Sequence, residues 1–469
     1  MKSNEARLKK GILWLVAFLW SSMGFFLVAD ETPPNIVLIF TDDQGYQDIG
    51  CFGSPLIKTP NLDRMAEEGV RLTDFYSANS VCSPSRAALL TGCYPNRVGV
   101  TGVLFPRHST GLNPSETTIA EILGERGYAT ACFGKWHLGH KKPFLPTNHG
   151  FDSYFGIPYS NDMSIDPTMA ISATVRWREG ASLEQFRKSK PKKNWVPLFE
   201  NSQVVEYPAD QTTLTQRYTE RALAFIESNK ERPFFLYLPH TMPHIPLFAS
   251  DGFRGKSARG PYGDTIEEID DSVGQILAAL DRHSIADKTL VIYTSDNGPW
   301  KLTGGRGGSA YPLRGYKFST YEGGMRVPCI MRWPSKIPAG SVCREIAATI
   351  DLLPTLSRLA GCELPTDVVI DGRDIRPLLF YPTRARSPHD FYYFFKGKSL
   401  QSVRHGFWKY RREGGGAQLF DLSVDIGESR NVADEHPALV ASFESTMDDF
   451  FRDLRANSRP IGQQATPLP

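Results

Sequence analysis

Four short apolar runs each end in residues that can bind a cation or move a proton. Residues 35–40 lead into Thr41-Asp42-Asp43, 129–133 into Gly134-Lys135-Trp136-His137, 234–238 toward His240 and His244, and 290–293 into Ser295-Asp296-Asn297-Gly298. Asp42, Asp43, Asp296 and Asn297 form an all-oxygen set. Such a set suits a hard divalent cation, calcium or magnesium, and not zinc. An Asp-Asp pair or an Asp-Asn-Gly triplet alone is ordinary turn chemistry; their weight comes from standing together at the ends of buried strands. His137 and His244 can exchange a proton near neutral pH, and Lys135 can hold an oxyanion. His240 is the weaker histidine of its stretch. A further group lies at Cys82-Ser83-Pro84-Ser85-Arg86, which runs into the helix-forming segment 87–91 and then Gly92. Proline fits a first helical turn and Ser83 can cap it. Position 82 is therefore expected at a helix N-terminus, where free N–H groups favour an anion.

Bringing these groups together requires a particular scaffold. The four apolar runs are short enough for strands buried on both faces. Between them lie helical patterns: 117–126 ending at Gly127; Leu214, Tyr218, Ala222 and Phe225 on one face; Ile266, Ile269, Val273, Ile276 and Leu280 on another. Alternation of this kind predicts an α/β fold, a large, mostly parallel sheet sandwiched by helices. In such sheets the ligand site lies beyond the carboxyl ends of the strands. From about Tyr381 the pattern changes to 391–395, 402–411, a Gly414-Gly415-Gly416 turn and 418–422, which predicts an antiparallel hairpin set. A helix over about 435–454 closes this smaller C-terminal domain. The expected division is 34–380 for the catalytic domain and 381–458 for the second, with a disordered tail over 459–469.

Cys-x-Pro-x-Arg followed by Thr91-Gly92 resembles the signature of the type I, formylglycine-dependent sulfatases of the alkaline phosphatase superfamily. The match extends through Pro34-Asn35-Ile36-Val37, Thr59-Pro60-Asn61-Leu62-Asp63, Gly134-Lys135-Trp136-His137-Leu138-Gly139, Ser295-Asp296-Asn297-Gly298 and Tyr321-Glu322-Gly323-Gly324 to Leu419-Phe420-Asp421-Leu422. Its flavour is that of the arylsulfatase A and N-acetylgalactosamine-6-sulfatase branches. The resemblance implies that a maturation enzyme oxidises Cys82 to formylglycine. It also implies that Asp42, Asp43, Asp296, Asn297 and the modified Cys82 hold Ca²⁺, with Mg²⁺ as the alternative, while Arg86 steadies the aldehyde hydrate. Lys135, His137, Ser160, His244 and Lys317 would surround the sulfate, His244 or Lys317 protonating the leaving alcohol and His137 serving as the later base. Three residues depart from the family pattern: Gln47 for a usual glycine, and Tyr311 and Phe318 for smaller residues. They leave the core chemistry intact and the substrate open, a sulfated small molecule or carbohydrate. The rival readings are a phosphate or phosphonate ester hydrolase of the same fold and a non-catalytic binder of sulfated glycans.

Composition sets the outer limits. With 53 basic and 51 acidic residues among 469, the net charge is +2, so no field large enough to attract nucleic acid or a membrane surface exists. Basic Lys2, Arg7, Lys9 and Lys10 precede an apolar run over 11–29, the layout of a signal peptide, and predict an exported, periplasmic or secreted protein. A membrane anchor would remain only if that segment were not cleaved. Asn113-Pro114-Ser115 is blocked by its proline and no other sequon occurs, which favours a bacterial exterior over a lysosome. Seven cysteines, an odd number, leave at least one thiol unpaired or special. The loop 166–210, with its basic run 187–193, is the expected reader of the alcohol part of the substrate.

Overall fold

The strand Asn35–Thr41 is buried along its whole length because parallel neighbours flank it on both sides, Phe234–Pro239 and Thr289–Ser295. The computed structural model describes residues 33–464 apart from 189–191, 303–305 and 415, so the signal peptide expected over 1–29 lies outside the described residues. Ala129–Phe133 pairs in parallel with Phe234–Pro239, and Ser153–Gly156 with Ala129–Phe133. The four strands expected from the apolar runs are therefore consecutive neighbours at the centre of an eleven-stranded sheet. The flanks are mixed: Cys329–Arg332 and Leu198–Glu200 join antiparallel, at positions where the chain can turn back without a helical crossover.

The helices follow their apolar stripes. Leu214–Asn229 buries Leu214, Tyr218, Ala222 and Ile226 and packs against Pro261–Arg282, which buries Ile266, Ile269, Val273, Ile276 and Leu280. Ile226 completes the first stripe where Phe225 was expected, since Phe225 is only half-buried and packs edge-on to Phe133 and Phe234. Ile119–Glu125 opens with a reciprocal Thr118–Glu121 capping box, a device that satisfies two otherwise unpaired N–H groups.

The C-terminal run forms four antiparallel strands, Tyr392–Lys396, Ser399–His405, Trp408–Glu413 and Gly416–Asp421, with the helix Pro437–Ala456 against the second. Within the stretch 402–411, read as part of a hairpin set, the chain turns at Gly406, whose φ of 55° suits glycine. Its apolar cluster includes Tyr76, Ala88, Tyr94 and Met325. The described residues from Pro34 to Gln464 make one compact unit. The expected disorder over 459–469 is corrected as far as Gln464: Gly462–Gln463 pairs with Thr110–Gly111, and Arg459 makes a two-pronged bond to Glu116. Among the described residues no helix is long and apolar enough to cross a membrane.

Candidate active site

Each strand end delivers its polar residues through backbone that is tightly constrained. Asp43 and His137 hold left-handed conformations, φ 67° and 62°, which cost non-glycine residues about 1–3 kcal/mol and survive only where surroundings enforce them. Asp43 N–H donates to Asp296 Oδ1 at 3.1 Å and His137 N–H to the Pro158 carbonyl at 3.2 Å. A Cβ on Gly134 would stand 1.9 Å from the Pro239 carbonyl, and one on Gly298 would stand 1.9 Å from the Gly323 carbonyl. Glycine at these two positions lets Lys135 and Asn297 emerge where strands and loops touch.

Position 82 begins the helix Cys82–Thr91, all ten residues of which are buried. The helix start differs from expectation in one respect. Val81 is the N-cap and no side chain caps it; Ser83 instead accepts from Leu104 N–H at 3.1 Å, because residue 83 already lies inside the first turn. Gly92 ends the helix in the left-handed conformation, φ 67°. Arg86, one turn below Cys82, makes a forked bond to Asp296 Oδ2, 3.1 Å from Nε and 2.9 Å from Nη2, and also donates to the Lys135 carbonyl at 2.7 Å.

The acidic groups converge. One oxygen each of Asp42 and Asp296 and the Cys82 sulfur lie within 4.8 Å of one another, and so do groups of Asp42, Asp43 and His244. Lys135 Nζ donates to Asp42 Oδ2, and Lys317 Nζ to Asp43 Oδ2 at 2.7 Å. Asn297 Nδ2 donates to Asp43 Oδ1 at 2.7 Å. Lys135, Lys317 and Arg86 thus match the three carboxylates charge for charge, so mutual repulsion alone does not demand an ion. Two oxygens are nevertheless left over: Asp42 Oδ1 and Asn297 Oδ1 are buried without a hydrogen-bond donor. Buried acceptors are seldom left so, and two orphaned oxygens beside three carboxylates fit a hard divalent cation. These residues could bind a metal.

Burial and neighbours set the proton balance. Burial by itself would raise Asp42, but Lys135, His244, Arg86 and Lys317 together hold it far below the usual carboxylate range. Burial, then Asp42, push Asp296 up to about 7 against the pull of Arg86. Burial raises the Cys82 thiol and, with Lys135 and Arg86, lowers His137 well below an ordinary histidine. His244 is lowered by burial and then Lys317. Burial would lower Lys317 as well, yet Asp43 and its neighbours keep it above the ordinary lysine value. At neutral pH the site therefore presents neutral imidazoles and a charged Lys317.

Around this centre, Ser160 Oγ accepts from Lys135 Nζ at 3.2 Å and lies 3.2 Å from His244 Nε2, which is 3.6 Å from Asp43 Oδ2. His137 Nε2 bonds the Leu104 carbonyl at 3.0 Å, while its Nδ1 is buried and unpartnered. All eleven residues singled out from the sequence, Asp42, Asp43, Cys82, Arg86, Lys135, His137, Ser160, His244, Asp296, Asn297 and Lys317, are buried, and all but His137, whose bonds go to the Leu104 and Pro158 carbonyls, are linked by these contacts. His240 stands apart: it is buried, with neither ring nitrogen hydrogen-bonded. Two residues escaped sequence reasoning. Asn161 Oδ1 faces His244 Nδ1 at 3.0 Å, and Trp300 lies 5.6 Å from the His244 ring and 4.6 Å beneath Lys317 Nζ. Trp300 follows Asn297 by three positions, the one signal that could have drawn attention to it. Of the departures, Phe318 packs edge-on to Trp300, Gln47 is tied to Ser309 and Gly53, and Tyr311 is exposed.

Residues 34–362 match the family described as Sulfatase, and 316–455 match N-sulphoglucosamine sulphohydrolase, C-terminal. The chain belongs to the sulfatase family. This sulfatase is 37% identical to steryl-sulfatase of Mus musculus over 93% of its own length and 84% of that protein. It is 41% identical to human arylsulfatase A (Homo sapiens) over 85% and 78%. The solved structure of Ps i-CgsB in complex with k-i-k-neocarrahexaose superposes with a TM-score of 0.80 at 31% identity, over 93% of this chain and 96% of that one. The sulfatase is a sulfuric ester hydrolase, releasing an alcohol and inorganic sulfate.

Proposed function

We propose that this sulfatase is exported, is matured at Cys82 to formylglycine by a formylglycine-generating enzyme, and removes sulfate from sulfated carbohydrates. The cation is a divalent one, calcium before magnesium, held by Asp42, Asp43, Asp296, Asn297 and the modified position 82. The observation that carries this reading is the meeting of Asp42, Cys82 and Asp296 within 4.8 Å at a buried helix N-terminus. When present, the hydrated aldehyde supplies a nucleophile whose second hydroxyl allows its own release, and the ion supplies positive charge for the sulfuryl oxygens.

The chain's own residues do the rest. Arg86 is fixed by Asp296 and stiffens the start of the helix. Lys135 and Lys317 hold the sulfate oxygens by charge, and Ser160 orients them through its bonds to Lys135 and His244. His244, steadied by Asn161 and protonated for that step, or Lys317, whose ammonium Asp43 holds charged, delivers a proton to the leaving alcohol, which for a sugar is a poor leaving group without one. His137, kept neutral, accepts a proton at the unpartnered Nδ1 in the second half of the cycle. The part over 34–380 carries this chemistry and 381–458 supports it from outside. The hexaose ligand of Ps i-CgsB supports the carbohydrate assignment. The test is a panel of defined sulfated sugars with matched phosphate esters, given to matured protein. Sulfate release from sugars is expected; faster turnover of the phosphates, or of no sugar at all, would refute the assignment.

A further inference from the structure

Beside the sulfate site lies a cavity of about 550 Å³ bordered by Phe105, Arg107, Lys141, Asp162, Asp166 and Lys193. Its three walls are continuations of segments already fixed at the active site. Leu104, next to Phe105, is bonded to both Ser83 and His137. Lys141 follows His137 by four residues, and Asp162 follows Ser160 by two, with Met163 N–H donating to the Ser160 carbonyl at 3.1 Å. Lys141 also borders a second cavity of about 800 Å³.

The charges on this recess are not balanced internally. Asp166 is taken by His140, Lys141 and Thr168. Arg107 and Lys193 are exposed, and among the described residues neither has an acidic partner. Arg107 instead lies over the Phe105 ring, 4.6 Å from its centre, which holds the guanidinium flat above an apolar platform.

We propose that this recess is a subsite for the sugar adjoining the sulfated one, with Arg107, held over Phe105, and Lys193 binding a second anionic substituent. The proposal rests on the carbohydrate reading above and narrows it to saccharides bearing two or more anionic groups. A guanidinium and an ammonium serve sulfate and carboxylate alike, so the subsite chemistry is that of a sugar oxyanion of either kind.

The experiment compares kcat/KM of the matured full-length enzyme on three disaccharides with the same scissile sulfate, the second sugar carrying a sulfate, a carboxylate or neither. At least one charged disaccharide is expected to be preferred about tenfold over the neutral one, since a charge-assisted bond contributes that much, and the better arm identifies the oxyanion. In Arg107→Gln the preference falls to about one, and Lys193→Gln reduces it. Because each ratio is read from one preparation, it is independent of the fraction folded. Added salt shrinks the preference, as it does for exposed charges. Equal turnover of all three disaccharides, or a preference untouched by both substitutions, overturns the subsite and leaves the sulfated-carbohydrate reading intact. Failure on every disaccharide while a simple aryl sulfate is hydrolysed refutes that reading and this inference with it.

Discussion

At the scale of single residues, the site is a set of oxygens and charges in which two acceptors are left over. Asp42 Oδ1 and Asn297 Oδ1 have no donor, and the proposed cation would give both a partner without removing the lysines. Asn297→Ala removes one neutral ligand while leaving the charge balance of Asp42, Asp43 and Asp296 unchanged. It is expected to weaken Ca²⁺ binding by at least about 10-fold to 100-fold, the range seen when even outlying support of a metal site is lost, with activity recovering as Ca²⁺ is raised. Titration calorimetry alongside sulfate release checks this; unchanged affinity would remove Asn297 from the ligand set. His137 and His244 were legible as proton carriers from their types and their place after a strand. Their neutral state at pH 7 was not legible, because it depends on burial and on Lys135, Arg86 and Lys317, which come from distant parts of the chain.

At the scale of elements, four strands were readable because each is an apolar run ended by polar residues. They became neighbours as a parallel sheet requires. The flanking strands were not readable: Val70–Leu72 and Ser341–Cys343 are three residues each, too short for any period. Ser83 was misplaced as a cap because its real partner, Leu104, is 21 residues away. The Tyr321-Glu322-Gly323-Gly324 motif was visible as a match but silent as to purpose. The structure gives one: Gly323 and Gly324 let the loop lie against residues 310–319, where a Cβ would meet the Gly315 and Ser319 carbonyls at 2.6 and 2.1 Å, and the loop then accepts the Gly298 N–H at the Gly324 carbonyl, 3.0 Å away. Gly298→Ala would force apart two backbones that support Asn297. A displacement of about 1 Å at a reacting centre costs on the order of 100-fold in rate, so kcat/KM is expected to fall by that factor while far-UV circular dichroism stays native. Full activity in this variant would show that the contact does not position the site.

At the scale of the whole molecule, the C-terminal sheet is tied to the catalytic part by a buried ionic network centred on Glu322. Lys409 on the third strand of that sheet donates to Glu322 Oε1 at 2.8 Å, Arg326 to Oε2 at 3.2 Å, and Glu428 accepts from the Glu322 N–H at 2.7 Å. Burial would raise the Glu322 carboxyl, but Lys409, Arg404 and Arg326 bring it down to about 2. Its folded value lies below the ordinary 4.5, so its contribution to stability is complete above that pH and is lost as the pH falls toward about 2. Glu322→Gln removes the carboxylate that Lys409, Arg404 and Arg326 share, leaving Lys409 with Glu428 and the two arginines with Asp74, and is expected to cost up to about 3 kcal/mol at pH 7. The difference from wild type should narrow steadily below pH 4.5 in denaturant unfolding; a difference independent of pH would mean that packing, not charge, ties the two parts. The extent of this coupling was not legible from sequence, which suggested two domains and a loose tail. The aromatic cluster and the Arg459–Glu116 bond that join them connect residues hundreds of positions apart.

The account stands on the chemical identity of position 82 in protein that turns over sulfate esters. Trypsin frees that position in the peptide spanning residues 72–86, and its mass can be read from the active preparation itself. The predicted result is an aldehyde in place of the thiol, in a proportion that tracks specific activity from one preparation to the next. A fully active preparation in which that peptide carries only unmodified cysteine would contradict it.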